Sequence, residues 1–186
     1  MSHVQDAGKS LRRHTDTPVM RLTAEQRARI VAAAREWIGT PYHHHARVKH
    51  CGADCAMFPL AVYQACGVLP QDYQPPQYSV QWHLHRSEEL YLKEIEKFVR
   101  EIEGPPQPAD FVVFRFGRTY SHGAIVVSWP TVIHSYIPHG VLLSDALRDG
   151  ELLGRQHKFF EIAFCSRQPA VHGLGGGDSA ADDERF

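Results

Sequence analysis

One cysteine at the head of an apolar run, and two histidines twelve positions apart in a strand-rich stretch, are the residues here whose types and spacing could do chemistry. Cys55 stands where the loop Cys51-Gly52-Ala53-Asp54 gives way to the apolar residues from Ala56 to Cys66. If that run is a helix, its unpaired N–H groups and positive dipole end point at the sulfur. Such a site would lower the thiol from its free value of about 8.5, and the same N–H groups could receive an oxyanion. A structural, packed cysteine is the commoner occupant of such a position, so the thiol alone decides nothing.

His122 and His134 lie equally far on either side of Ser128. A three-residue hairpin loop at Val127-Ser128-Trp129 would make them direct cross-strand neighbours on one sheet face, with Cβ atoms roughly 5 Å apart. One imidazole could then take the thiol proton while the other fixes its tautomer. The chain has 13 histidines, so a chance pairing is the competing reading.

These residues need elements to hold them. Thr23 with Gln26 three positions on is a capping-box pattern, and Ile30, Val31, Ala34, Trp37 and Ile38 recur at helical spacing until Gly39-Thr40-Pro41. A second helix is expected over Ala56–Cys66, stopped by Gly67. A third, charged helix is expected from Ser87 to about Glu103, with Leu90, Ile95, Phe98 and Val99 on one side. After Gly104-Pro105-Pro106 the pattern turns to short strands over 110–116, 122–128, 131–136, 141–143 and 158–164. Helices first, then an antiparallel meander, reads as α+β. The expected divisions are a flexible N-terminal segment 1–20, a domain over 21–170 and a disordered tail over 171–186.

Composition narrows the class. A 186-residue chain with a 43% hydrophobic fraction can build one real core. Its 20 Lys plus Arg against 21 Asp plus Glu leave a net charge of −1, which attracts neither nucleic acid nor an anionic membrane. No apolar stretch approaches a membrane span. The N-terminal residues carry Lys9, Arg12 and Arg13 without a following apolar region, so no secretory signal is expected and synthesis in the cytoplasm is. Four cysteines, Cys51, Cys55, Cys66 and Cys165, are too sparse for a disulfide framework, and Cys51, Cys66 and Cys165 are expected to pack.

Several fragments taken together resemble the NlpC-type cell-wall cysteine peptidases, a branch of the papain-like fold. They are Trp37-Ile38-Gly39-Thr40-Pro41-Tyr42, Gly52-Ala53-Asp54-Cys55, Ala61-Val62-Tyr63 with Gly67, Pro108-Ala109-Asp110-Phe111, Ser121-His122-Gly123-Ala124-Ile125, and His134. The resemblance runs from about residue 28 to about 145. It implies N-terminal helices packed on a central antiparallel sheet, and a hydrolase that needs no cofactor or metal and cuts peptidoglycan stem peptides between D-glutamate and a diamino acid. In that picture Cys55 attacks, His122 is base and then acid, and His134 orients it. Tyr42 would lie near the nucleophile, and Asp54 would help receive the free amino end of the stem peptide. Ala56-Met57 replaces the family's usual Ser-Gly, and the segment 71–103 is longer than usual and could act as a lid. Phage and prophage tail hydrolases share a stretch similar to Gly39-Thr40-Pro41-Tyr42-His43-His44, which implies a phage-type enzyme carried to the cell wall with tail proteins as partners.

Other readings compete. A zinc site could draw on His43, His44, His45, His50, Cys51 and Cys55, but Cys51 and Cys55 do not have the CxxC spacing of a knuckle and no second pair follows. A phage tail assembly protein could keep the fold as a scaffold. A thiol-dependent amidase or acyltransferase would keep the nucleophile and change the acceptor.

Overall fold

The computed structural model describes residues 21–78 and 89–162. The expected terminal segments, Cys165, the end of the last expected strand and the middle of the 71–103 segment lie outside them.

Helix α1, Ala24–Arg35, starts on the expected capping box: Thr23 Oγ1 accepts from the Gln26 N–H at 3.2 Å, and Gln26 Oε1 accepts from the Thr23 N–H at 2.8 Å. A short antiparallel pair follows, β1 (Arg47–Val48) with β2 (Gly52–Ala53). Helix α2, Met57–Ala65, begins just past the cysteine, and Gly67, with φ at +69°, takes the left-handed conformation that ends it.

The expected helix over 87–103 is corrected. Among the described residues there, only α3, Leu90–Ile95, is helical, and Val99–Ile102 is strand β3. Val99 faces Ile162 and Ile102 faces Phe159, so this segment supplies the outer partner of the last strand. Across that seam Lys158 binds Glu101 and Arg100 binds Glu161. Pairing with a distant strand overrides the local helical pattern.

The remaining strands are β4 (Phe111–Phe116), β5 (Thr119–Ser128), β6 (Thr131–Tyr136), β7 (Gly140–Asp145) and β8 (His157–Ile162). They form one antiparallel sheet in the order β3-β8-β4-β5-β6-β7. Phe111, Val113, Ile125, Ile133 and Phe160 pack with Ile30, Ala34, Phe58 and Val62, so this face of the sheet carries the helices. Val112, Phe114, Ala124, Val126 and Val132 form a second apolar layer with Ala146 and Leu152. No helix among the described residues is long and apolar enough to cross a membrane.

One buried ion pair fastens α1 to the sheet. Arg27 Nη1 donates to Asp110 Oδ1 at 2.6 Å and to the Pro108 carbonyl at 2.7 Å, while Asp110 Oδ2 accepts from the Gln107 N–H at 2.7 Å. Pro108-Ala109-Asp110 is therefore an anchor for the helix layer. Removing one partner strands a buried charge. Arg27→Ala is expected to cost about 3–5 kcal/mol in urea unfolding, and a loss below about 1 kcal/mol would mean that the pair does not hold α1 in place.

Candidate active site

The β5–β6 hairpin sets the histidines. Its register pairs Ala124 with His134, Ile125 with Ile133 and Val126 with Val132, then shifts so that Ser128 faces Thr131 across the turn Trp129-Pro130. The expected three-residue loop is thus replaced by a two-residue turn and a bulge, which moves the register by two. A shift of two keeps every side chain on its face. His122 becomes the diagonal neighbour of His134 instead of its opposite number, still within reach of long side chains. His122 Nε2 and His134 Nδ1 lie 2.8 Å apart.

Both rings are buried, His134 completely. Phe114, Phe116 and Tyr136 surround the His122 ring. Burial lowers His134 from an ordinary 6.5 to about 4, against an opposing pull from Asp149. At neutral pH its ring is uncharged, so one nitrogen carries a proton and the other a lone pair. Its second nitrogen, Nε2, meets Ser144 Oγ of β7 at 3.0 Å. Ser144 has no sequence signal, because a serine inside a strand reads as an ordinary polar position.

Cys55 lies against the β5 backbone on both sides of His122. Its Sγ is 3.9 Å from the Ser121 carbonyl oxygen, and the Gly123 N–H is directed at it. Gly123 is required here, since a Cβ would collide with the Tyr91 hydroxyl and the Phe111 ring. The expected lowering of the thiol is corrected. Burial first, and the Asp54 carboxylate second, push it up to about 12, outweighing the Gly123 and Cys55 backbone N–H groups. The reason is local: Asp54 Oδ1 accepts from the Ala56 N–H at 3.0 Å and the Met57 N–H at 2.8 Å. Two of the N–H groups expected to face the sulfur, those of Ala56 and Met57, are instead taken by this carboxylate.

Asp54 is buried, and its other oxygen is also engaged. Oδ2 accepts from the His45 N–H at 2.8 Å and the Tyr78 hydroxyl at 2.7 Å. His45 Nε2 accepts from the Tyr78 N–H at 3.0 Å, and the two rings stack with centroids 3.9 Å apart. The histidine run thus wraps a tyrosine that no sequence motif marks. Tyr42 pairs with Ala53 through an isolated bridge. Burial first, then the Cys55 and Asp54 charges, raise its phenol, which stays a proton donor beside the Cys55 loop. Ser135 Oγ donates to the Ala53 carbonyl at 2.8 Å and ties that loop to β6. Cys66 is buried as expected, whereas Cys51 is exposed in the turn between β1 and β2 and does not pack. Among the described residues no three His, Cys, Asp or Glu side chains converge as a metal ion requires.

No protein-family model matches the sequence, and no curated protein matches it significantly. Solved structures do share the fold. NlpC1 from Trichomonas vaginalis is 15% identical over 79% of this chain and 46% of its own, with a TM-score of 0.50. An NlpC/P60 family protein from Bacillus cereus is 15% identical over 75% of this chain and 40% of its own, also at 0.50. The NlpC/p60 domain of the peptidoglycan hydrolase SagA is 20% identical over 74% of this chain and 98% of its own, at 0.47. This chain spans less than half the length of the first two. The fold is α+β, helices on an antiparallel sheet in the NlpC/P60 arrangement.

The depressed His134 value links the site to stability. Between pH 6.5 and about 4 the unfolded chain binds a proton at this ring that the folded chain refuses. The contribution is full above pH 6.5 and is lost as pH falls toward 4, about 3 kcal/mol in all. Urea unfolding should find that the wild type loses about that much more on acidification than His134→Gln. Identical acid dependence in the two would contradict a buried neutral His134.

Proposed function

We propose that this chain is a cysteine hydrolase that cuts amide bonds in peptidoglycan stem peptides, with Cys55 as nucleophile, His122 as base and then acid, and His134 as the group that orients His122. The observation that carries the proposal is the 2.8 Å contact between two buried imidazoles, one of them on the strand whose backbone holds the Cys55 sulfur. Peptidoglycan as substrate is supported by the sequence resemblance, and the SagA domain belongs to a protein described as a peptidoglycan hydrolase.

Since the thiol keeps its proton at rest, attack is coupled to proton transfer. As Sγ closes on the amide carbonyl, its proton passes to the imidazole of His122. The oxyanion is received by the Cys55 N–H. Collapse breaks the C–N bond, the proton leaves His122 with the departing amine, and a thioester stays on Cys55. Water then enters, giving its proton to His122, and the acid product and free thiol are released.

The finer reading is the bond between D-glutamate and a diamino acid, which also rests on the resemblance. The amine-receiving role of Asp54 requires a stem peptide to displace the Tyr78 hydroxyl from Oδ2, and Tyr42 offers a phenol proton near the reacting sulfur. Action at the cell wall as part of a phage-type particle is proposed from the Gly39–His44 stretch. A second reading, a scaffold that retains the fold without turnover, is favoured by the upward push on the thiol.

Digestion of purified walls and defined muropeptides, with identification of the new termini, separates these. Cys55→Ala is expected to abolish release of new amino termini while the protein stays folded. His134→Ala is expected to lower kcat by on the order of 10²–10⁴-fold and leave residual activity. Undiminished lysis by Cys55→Ala would remove the assignment, and no cleavage by the wild type would leave the scaffold reading.

A further inference from the structure

We propose that Ser144 is a positioning residue for the hydrolytic reaction: its hydroxyl accepts the Nε2 proton of His134 and thereby supports the working tautomers of both histidines. The inference rests on the cysteine hydrolase reading for its catalytic meaning, but not for its geometry. Ser144 lies on β7, which pairs with β6 through Val132↔Ser144 and His134↔Leu142. Ser144 is therefore the diagonal neighbour of His134 on the same face, as His122 is from the other side. Three buried side chains form one row: His122 Nε2 to His134 Nδ1 at 2.8 Å, and His134 Nε2 to Ser144 Oγ at 3.0 Å.

Proton counting gives the row a direction. His122 must offer a lone pair at Nδ1 to take the thiol proton, so its own proton sits on Nε2 and is donated to His134 Nδ1. The same donation persists when His122 becomes an imidazolium, because Nε2 stays protonated. His134 then accepts at Nδ1 in both states. A neutral ring that accepts at Nδ1 carries its proton on Nε2, and that buried N–H needs an acceptor. Ser144 Oγ stands at hydrogen-bond distance from it. With the row reversed, Ser144 would donate, His134 would donate to His122, and His122 would hold its proton on Nδ1, where it cannot act as a base. A hydroxyl can accept or donate, so its contribution is an uncharged acceptor, without which the working row would end on an unsatisfied buried N–H and the reversed row would gain ground.

The experiment observes the imidazole nitrogens directly. Uniformly ¹⁵N-labelled full-length protein at neutral pH is compared with Ser144→Ala and Ser144→Thr, and the two rings are assigned from His122→Gln and His134→Gln. The wild type is expected to have His134 protonated at Nε2 and His122 protonated at Nε2. Ser144→Ala should mix the tautomers of both rings and lower kcat on walls by roughly tenfold with KM little changed. Ser144→Thr, which keeps the hydroxyl, should restore both. A wild-type His134 protonated at Nδ1, or tautomers that Ser144→Ala leaves unchanged, would overturn the proposal. These spectra need no substrate, so failure to cleave walls would refute the hydrolase reading, while the nitrogen shifts alone decide the role of Ser144 in the row. Should Ser144→Ala not fold, the wild-type tautomer and the Ser144→Thr spectrum still decide.

Discussion

Two imidazoles buried in contact at 2.8 Å constrain the rest of this molecule. Ring nitrogens that close together must divide one proton between them, since two protons would repel and none would leave lone pairs opposed. Burial removes the alternative of charging both rings, because the cost of desolvating a cation is high. The site therefore combines a His134 that burial keeps neutral with a sheet that places both rings on one face. The β5–β6 register supplies the second condition, and the apolar layer of Val112, Phe114, Ala124 and Val132 helps supply the first.

Asp54 imposes a second constraint on the same site. Its carboxylate accepts hydrogen bonds from Ala56, Met57, His45 and Tyr78, closing the head of α2 and gathering the histidine loop. A charge used in this way stabilises the helix start and opposes a second negative charge on the adjacent sulfur. Burial first, and this charge second, hold the thiol protonated, unlike the thiolate that a bare, exposed helix end would favour. Under the proposed chemistry the work of creating the nucleophile shifts to His122, which makes the orientation of that ring, and so His134 and Ser144, more consequential.

Much of this is legible in the residues because it is local. Thr23 and Gln26 announce α1, Gly67 ends α2, and short apolar runs bounded by turn residues mark β4 to β7. The histidine pair is legible even though the hairpin register differs from the expected one, since a two-residue slip does not change a side chain's face. Strand β3 is not legible, because Val99–Ile102 looks helical until β8, far along the chain, offers it an edge. The carboxylate at the head of α2 has a usable signal, an aspartate three positions before the first residue of an apolar helix, and the neighbouring cysteine masks that role. Ser144 has none. Its meaning exists only once two strand pairings bring it beside a histidine ten positions earlier.

Whether Cys55 is a nucleophile is settled by looking for the covalent intermediate. A defined muropeptide is mixed with the full-length protein, the reaction is quenched in acid within its first turnovers, and the peptide carrying Cys55 is weighed by mass spectrometry. The proposed chemistry predicts a mass increase equal to the acyl half of the substrate, located on Cys55 and absent from Cys51. Cleavage that proceeds with Cys55 unmodified at every quench time, and persists in the Cys55→Ala variant, would contradict it.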